Sequence, residues 1–125
     1  MNPRSTGALN GLGFSLDRQG SEHHREAIAW FEESLRIWED QDVAHNGLGW
    51  SLYNWEEYTS AETHFRRAIE LQPNYANAFY GLGLTLEELG RPGEAERAYR
   101  QALVLSTDDV EREEVRRALD RLSVK

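Results

Sequence analysis

The chain has 125 residues, 39% hydrophobic and 29% charged, with a formal net charge of -8 and no cysteine. That composition excludes a disulfide frame and a thiolate zinc site, and it argues against nucleic acid and anionic membrane as main partners, because both reward a basic face. No apolar run approaches the roughly 18 residues of a membrane span, and "MNPRSTGALNG" lacks the apolar core of a signal peptide, so a cytoplasmic protein is expected.

The first predicted helix contains "GLGFSL", Gly11–Leu16. After it comes "GSEHHRE", Gly20–Glu26, which reads as a solvated loop, and then a second helix through Ala27 and Phe31. A third helix places Leu48, Leu52 and Trp55 on one face at three- and four-residue steps. A break at Glu56–Glu57 follows. The fourth helix runs through Ala61, Phe65, Ala68, Ile69 and Leu71, and Pro73 ends it. Gly90 closes the fifth helix, and Pro92 suits the first turn of the sixth. The remainder, "DDVEREEVRRALDRLSVK", reads as a charged helix with a narrow stripe of Val110 or Val115, Leu119 and Leu122. Asp108 with Glu111 fits a capping box.

These elements repeat. Gly49 and Gly83, Ala61 and Ala95, Phe65 and Tyr99, and Ala68 and Ala102 all stand 34 residues apart, as do Phe31 and Phe65. Gly13 precedes Gly49 by 36, so the first unit carries two extra residues within Gly20–Glu26. Three units result, Thr6–Gln41, Asp42–Tyr75 and Ala76–Asp109, followed by a terminal helix over 109–123 with one apolar stripe and an otherwise polar surface, as a repeat stack needs at its end. The short connections imply antiparallel hairpins.

The pattern resembles the tetratricopeptide repeat, W-x2-L-G-x2-Y followed by A-x3-F and P. Leu48, Gly49, Leu52, Ala61, Phe65, Ala68 and Pro73 fill its slots in the second unit, with His45 in the Trp slot. Phe79, Leu82, Gly83, Leu86, Ala95, Tyr99 and Ala102 fill them in the third, with Thr107 in place of Pro. The first unit supplies Leu9, Leu12, Gly13, Leu16, Ala27 and Phe31, with Ser34 and Glu39 replacing the second Ala and the Pro. The resemblance implies an all-α right-handed solenoid of three hairpins plus a capping helix, about seven helices in one domain over 1–125.

One feature lies outside the family motif. Each unit carries an extra glycine two residues before the motif glycine: Gly11, Gly47 and Gly81. A glycine inside a helix costs roughly 1 kcal/mol relative to alanine. The motif glycines Gly13, Gly49 and Gly83 are expected to pack against Ala27, Ala61 and Ala95. By resemblance, the first helices of successive units line a concave groove. Its slots would hold Asn10, Gly11 and Phe14; Asn46, Gly47, Trp50, Tyr53 and Asn54; and Asn77, Tyr80, Gly81 and Leu84. The extra glycines would then leave bare backbone at the groove floor. Phe14, Trp50 and Leu84 would bury a peptide's side chains while the amides satisfy its backbone.

The expected function is non-catalytic binding of a peptide segment or helix, neutral to mildly basic. Some family members hold acidic chaperone tails with lysine and arginine, but the corresponding slots here carry no cation, and Arg18 is opposed by Asp17, Glu87 and Glu88. The alternative is a self-associating scaffold, a homodimer formed through the apolar edge of the first unit. No phosphate loop, H-E-x-x-H motif or Ser/His/Asp order appears, so neither enzyme activity nor a cofactor or metal is expected. His23 and His24 read as loop residues, His45 and His64 have no partner at helical spacing, and Trp30, Trp38 and Trp55 are expected to pack between helices.

Overall fold

A computed structural model describes residues 6–123. They form α1 (Thr6–Arg18), a short 3-10 turn at Ser21–His23, α2 (His24–Ile37), α3 (Asp42–Asn54), α4 (Tyr58–Leu71), α5 (Ala76–Glu88), α6 (Pro92–Leu105) and α7 (Asp109–Ser123). Each helix packs on the next in chain order, and alternate helices α1, α3 and α5 also touch. The result is an all-α helical repeat stack.

Helix ends follow local chemistry. At the end of α5, Gly90 adopts φ 75°, and Arg91 N–H donates to Leu86 C=O at 2.9 Å. This closes the helix by the left-handed turn that glycine adopts most readily. Glu56 ends α3 the same way, at φ 65°, with Glu57 N–H donating to Leu52 C=O at 2.8 Å. Asp108 caps α7 by accepting from Val110 N–H at 3.0 Å. The reciprocal half of the expected capping box is not made. The Glu111 carboxylate turns inward and accepts from Ser106 Oγ at 2.8 Å and Asn77 Nδ2 at 2.7 Å.

The core runs the length of the stack. Ala27, Phe31, Ala61, Phe65, Ala95, Tyr99 and Ala102 are fully buried. The glycines surround the rings. A Cβ added at Gly13 would lie 2.7 Å from Phe31, and one at Gly47 would lie 2.5 Å from the same ring. Phe65 is held likewise between Gly49, at 2.9 Å, and Gly81, at 2.4 Å. Such separations are below any normal carbon contact. Each ring therefore sits between the motif glycine of its own unit and the extra glycine of the next. The nearest atoms to the motif glycines belong to these rings rather than to the alanines.

This corrects the expected groove floor. Gly47 and Gly81 are buried beneath Phe31 and Phe65 and expose no backbone to a ligand. Of the three extra glycines, Gly11 alone is open, with nothing within 4 Å of an added Cβ. The loop expectation also changes. His24 begins α2, is buried, and its Nδ1 lies 2.5 Å from Asp17 Oδ1.

The three extra glycines should thus respond oppositely to one substitution. Gly47→Ala or Gly81→Ala should lower the unfolding free energy by about 1–3 kcal/mol, because a closed ring site cannot admit a methyl. Gly11→Ala should raise it by up to about 1 kcal/mol, the helix-propensity gain alone. Urea titrations monitored by circular dichroism give both signs. A stabilising Gly47→Ala would show that the ring can retreat.

Candidate functional site

The residues expected in the groove rest directly on the ring core. Phe14 meets Phe31 edge to face at 5.0 Å between centroids. Trp50 meets Phe65 edge to face at 5.4 Å and also touches Tyr53 at 6.0 Å and Tyr80 at 5.8 Å. Tyr80 in turn lies 6.1 Å from Tyr99. Phe14, Trp50, Tyr53, Tyr80 and Leu84 are all half-buried. They form a second aromatic layer, open on one side and fixed by the core on the other.

The amides do not act as expected. Asn46 is only 5% exposed, and its Nδ2 donates to Asn77 Oδ1 at 3.0 Å. Trp50 Nε1 donates to the same oxygen at 2.8 Å, and Asn77 Nδ2 donates to Glu111 at 2.7 Å. Asn10 Nδ2 donates to Gln41 Oε1 at 3.1 Å. These side chains join the start of one unit's first helix to the next and fix the Trp50 ring. Their Nδ2 and Nε1 donors are committed to the fold, while the buried Oδ1 atoms of Asn10 and Asn46 accept no hydrogen bond. Asn54 is exposed, with a single long contact to Asp17 at 3.5 Å.

The carboxylates along the groove are largely paired. Asp17 faces His24 at 2.5 Å. Glu87 faces Arg121 at 2.5 Å and accepts a hydrogen bond from Tyr99 Oη. Burial and that carboxylate hold the Tyr99 phenol far above its ordinary range, so it remains a donor. Burial similarly raises Tyr53 and Tyr80, with nearby glutamates adding to the effect. Neutral phenols and indole thus dominate the surface that a ligand would meet.

One opening lies at the first unit. A cleft of about 530 Å³ is lined by Asn10, Gly11, Phe14, Trp38, Gln41 and Val43, with Thr6, Gly7, Asp40 and Asp42 at its edge. Trp38 is 57% exposed, against the expectation that it packs between helices. Ending α2, it projects beside the groove rather than from the opposite, convex side. Trp30 and Trp55 are exposed as well. Sequence reading gave Trp38 no place in the groove because its slots covered only first helices.

A second cluster pairs residues that the sequence left single. His45 on α3 and His64 on α4 stack at 5.2 Å, with their Nδ1 atoms 3.0 Å apart. His45 Nε2 lies 2.9 Å from Glu39 C=O, which can only accept, so this nitrogen carries the proton. In the neutral pair, His45 Nδ1 then accepts from His64 Nδ1–H. Glu39, itself held down to about 2 chiefly by the Arg67 guanidinium, borders the pair. The two neighbouring histidines of the first unit diverge, since His23 faces Glu26 at 3.1 Å while His24 faces Asp17. Among the described residues no group of three or more histidines, cysteines and carboxylates is placed to hold a metal ion. Also among them, no helix is long and apolar enough to cross a membrane.

The histidine pair predicts a pH dependence. Burial, then the neighbouring His45, lowers the His64 pKa from 6.5 to about 4, partly opposed by Glu39. The unfolded chain therefore binds more protons than the folded one between these values. The neutral-imidazole contribution is complete above pH 6.5 and is lost as pH falls toward 4. Allowing for partial exposure, the loss should be on the order of 1–3 kcal/mol. Unfolding titrations at both pH values, compared with His64→Gln, isolate it. An equal fall in the variant would assign the effect to other groups.

Comparison with known proteins gives consistent results. A tetratricopeptide repeat family model matches residues 46–110. The first tetratricopeptide repeat domain of human RPAP3 superposes with a TM-score of 0.87 at 20% identity, covering 98% of this chain and 92% of that one. The first such domain of Spaghetti (RPAP3), bound to the HSP90 peptide SRMEEVD, superposes with a TM-score of 0.86 at 19% identity, covering 98% and 94%. In sequence, the chain is 27% identical over 96 residues to anaphase-promoting complex subunit 3 of Schizosaccharomyces pombe, which is 77% of this chain and 14% of that protein. It is 34% identical over 71 residues to the protein O-mannosyl-transferase Tmtc2 of Drosophila melanogaster, 56% of this chain and 8% of that one. The match thus spans only a small part of each of these curated relatives.

Proposed function

Because the chain belongs to the tetratricopeptide repeat family, we propose that it is a non-catalytic protein-binding module whose groove takes a peptide segment or helix of low charge or mild basicity. The observation that carries this reading is the cleft at the first unit, where exposed Trp38 and Val43 face half-buried Phe14 across about 530 Å³. Exposed apolar side chains grouped around a concavity mark interaction sites. From there the aromatic layer continues through Trp50, Tyr53 and Tyr80 to Leu84. Gly11 stays in this proposal as an open position, whereas Gly47 and Gly81 leave it. Asn46 and Asn77 act in it only by fixing Trp50.

Charge supports the choice of ligand. The peptide held by the similar Spaghetti domain carries three carboxylate side chains. Here Arg121 is engaged by Glu87, and Asp17 and Glu88 border the groove. An acidic tail would meet these carboxylates, with the exposed Arg18 on α1 as a cation to offset them, which costs affinity and slows encounter.

Selection of random displayed peptides against the whole chain tests the reading. Enriched sequences should carry apolar or aromatic anchors flanked by neutral or basic residues, and SRMEEVD should not compete with them. Trp38→Ala should weaken the selected peptides by roughly 1–3 kcal/mol. Its exposed ring should leave the thermal melt unchanged. Peptides that bind Trp38→Ala and Phe14→Ala as tightly as the parent would place the site elsewhere.

A further inference from the structure

The turn between the two helices of each unit takes one residue into the left-handed region. In the first and third units that residue is glycine, Gly20 at φ 129° and Gly90 at φ 75°. In the second it is Glu56 at φ 65°, where a side chain carries a steric cost that glycine does not. Backbone strain held at one position of a repeat points to a use for that side chain. The Glu56 charge acts on the phenol of Tyr58, the first residue of α4. Tyr58 meets Tyr53 of α3 at 5.6 Å between centroids, with the rings inclined at 61°. Trp50 stands edge to face with Tyr53 at 6.0 Å, so this corner continues the aromatic layer of the groove. Both phenols are half-buried. Burial, then the Glu88 carboxylate at the end of α5, holds both above their ordinary range. The other charged groups that act on them are Glu87 and Glu56, with no cation among them. Glu87 is engaged by Arg121. Glu56 and Glu88 are exposed and, among the described residues, form no ion pair.

We propose that Tyr53, Tyr58, Glu56 and Glu88 form a subsite of the groove that takes the guanidinium of an arginine side chain in the bound segment. This rests on the groove reading above and gives its preference for basic ligands a place. Two inclined rings offer their faces to one cation, and guanidinium is the planar, weakly hydrated cation that aromatic faces hold well. Glu56 and Glu88 supply the countercharge, and neither must give up an ion pair to do so. The other two units show what the same corner does with groups of the chain itself. In the first unit the positions equivalent to Tyr53 and Tyr58 hold Asp17 and His24, with His24 Nδ1 2.5 Å from Asp17 Oδ1. In the third they hold Glu87 and Pro92, and Glu87 receives Arg121 at 2.5 Å. At both outer corners a basic side chain of the chain itself thus meets a carboxylate. The middle corner presents two carboxylates beside two rings and, among the described residues, receives no basic side chain.

Titration of the whole chain with acetyl-Gly-Arg-Gly-amide, followed through the ring resonances of Tyr53 and Tyr58, tests the subsite without any selected peptide. Both rings should shift together and saturably. The citrulline analogue, which keeps the shape and loses the charge, should bind at least about fivefold more weakly. Glu88→Gln should weaken the arginine peptide by a similar factor. Glu32→Gln, which removes the same charge from an exposed position on α2, should leave it unchanged. Glu56→Gly should raise the melting temperature, since glycine relieves the left-handed backbone, and yet weaken the peptide. Rings that ignore the arginine peptide, or that respond equally to citrulline or in Glu88→Gln, overturn the proposal. In peptides selected on the groove, replacing arginine by citrulline should cost binding to the parent chain but not to Glu88→Gln. Selected peptides that need Trp38 but lack arginine, or tolerate its replacement, leave the groove reading standing and overturn this one. Saturable, charge-dependent ring shifts with no enriched peptide support the cation subsite and count against the groove reading instead.

Discussion

The contact of one aromatic ring with two glycines organises this stack. Phe31 touches Gly13 within its own hairpin and Gly47 in the next, and Phe65 repeats the arrangement with Gly49 and Gly81. A phenyl ring can lie this close to two helix backbones only where both lack a Cβ. The helix-propensity cost of two glycines per helix is offset by close packing over a large, fully buried side chain. Because each ring serves two units at once, the spacing between hairpins and the spacing within them are set by one side chain. The 34-residue register of Phe31, Phe65 and Tyr99, shared by the glycines of the second and third units, is the sequence-level expression of that geometry.

The groove inherits its shape from the same contacts. Phe14 and Trp50 stand edge-on against Phe31 and Phe65, so the surface layer copies the core layer beneath it. The hydrogen bonds from Asn46 and Trp50 to Asn77, and from Asn77 to Glu111, then tie successive first helices together as far as α7. Polar groups buried in this way restrict the arrangement more than they strengthen it, because each would cost free energy if its partner moved. Such a surface is largely preorganised, and a ligand would lose little affinity to ordering it.

Period and slot were legible in the sequence; direction was not. The residues that repeat every 34 positions are those with steric reasons to repeat, and they placed the helices and the buried rings. Gly47 shows the limit. Counting positions put it two residues before a motif glycine but left open whether its bare backbone met a ligand or a ring. Both uses need glycine, and only three-dimensional packing separates them. The His45–His64 pair escaped for a related reason. Each histidine lies on a different helix, 19 residues apart, and no single-helix periodicity joins them. Asn46 and Asn77 were misjudged because an amide suits a ligand's backbone and a neighbouring amide equally well. Trp38 was missed because it follows the last turn of α2, where helical spacing no longer says which way a side chain points.

The shared use of rings by core and groove has a consequence for specificity. A residue such as Trp50 supports Phe65 and donates to Asn77, and in the proposed groove it would also face the ligand, so a change there would alter stability and recognition together. Selection for a new partner is therefore constrained along the middle of the groove. The rim is freer. Trp38, Val43 and Asn54 touch the stack lightly and are exposed, so they can vary with little effect on folding. In the proposed groove the aromatic floor would supply general affinity for apolar side chains, and the rim would decide which ones. The same division explains why the family pattern identifies the fold so readily while leaving the partner open. The motif records the ring contacts, and partner choice lies in residues that those contacts do not constrain.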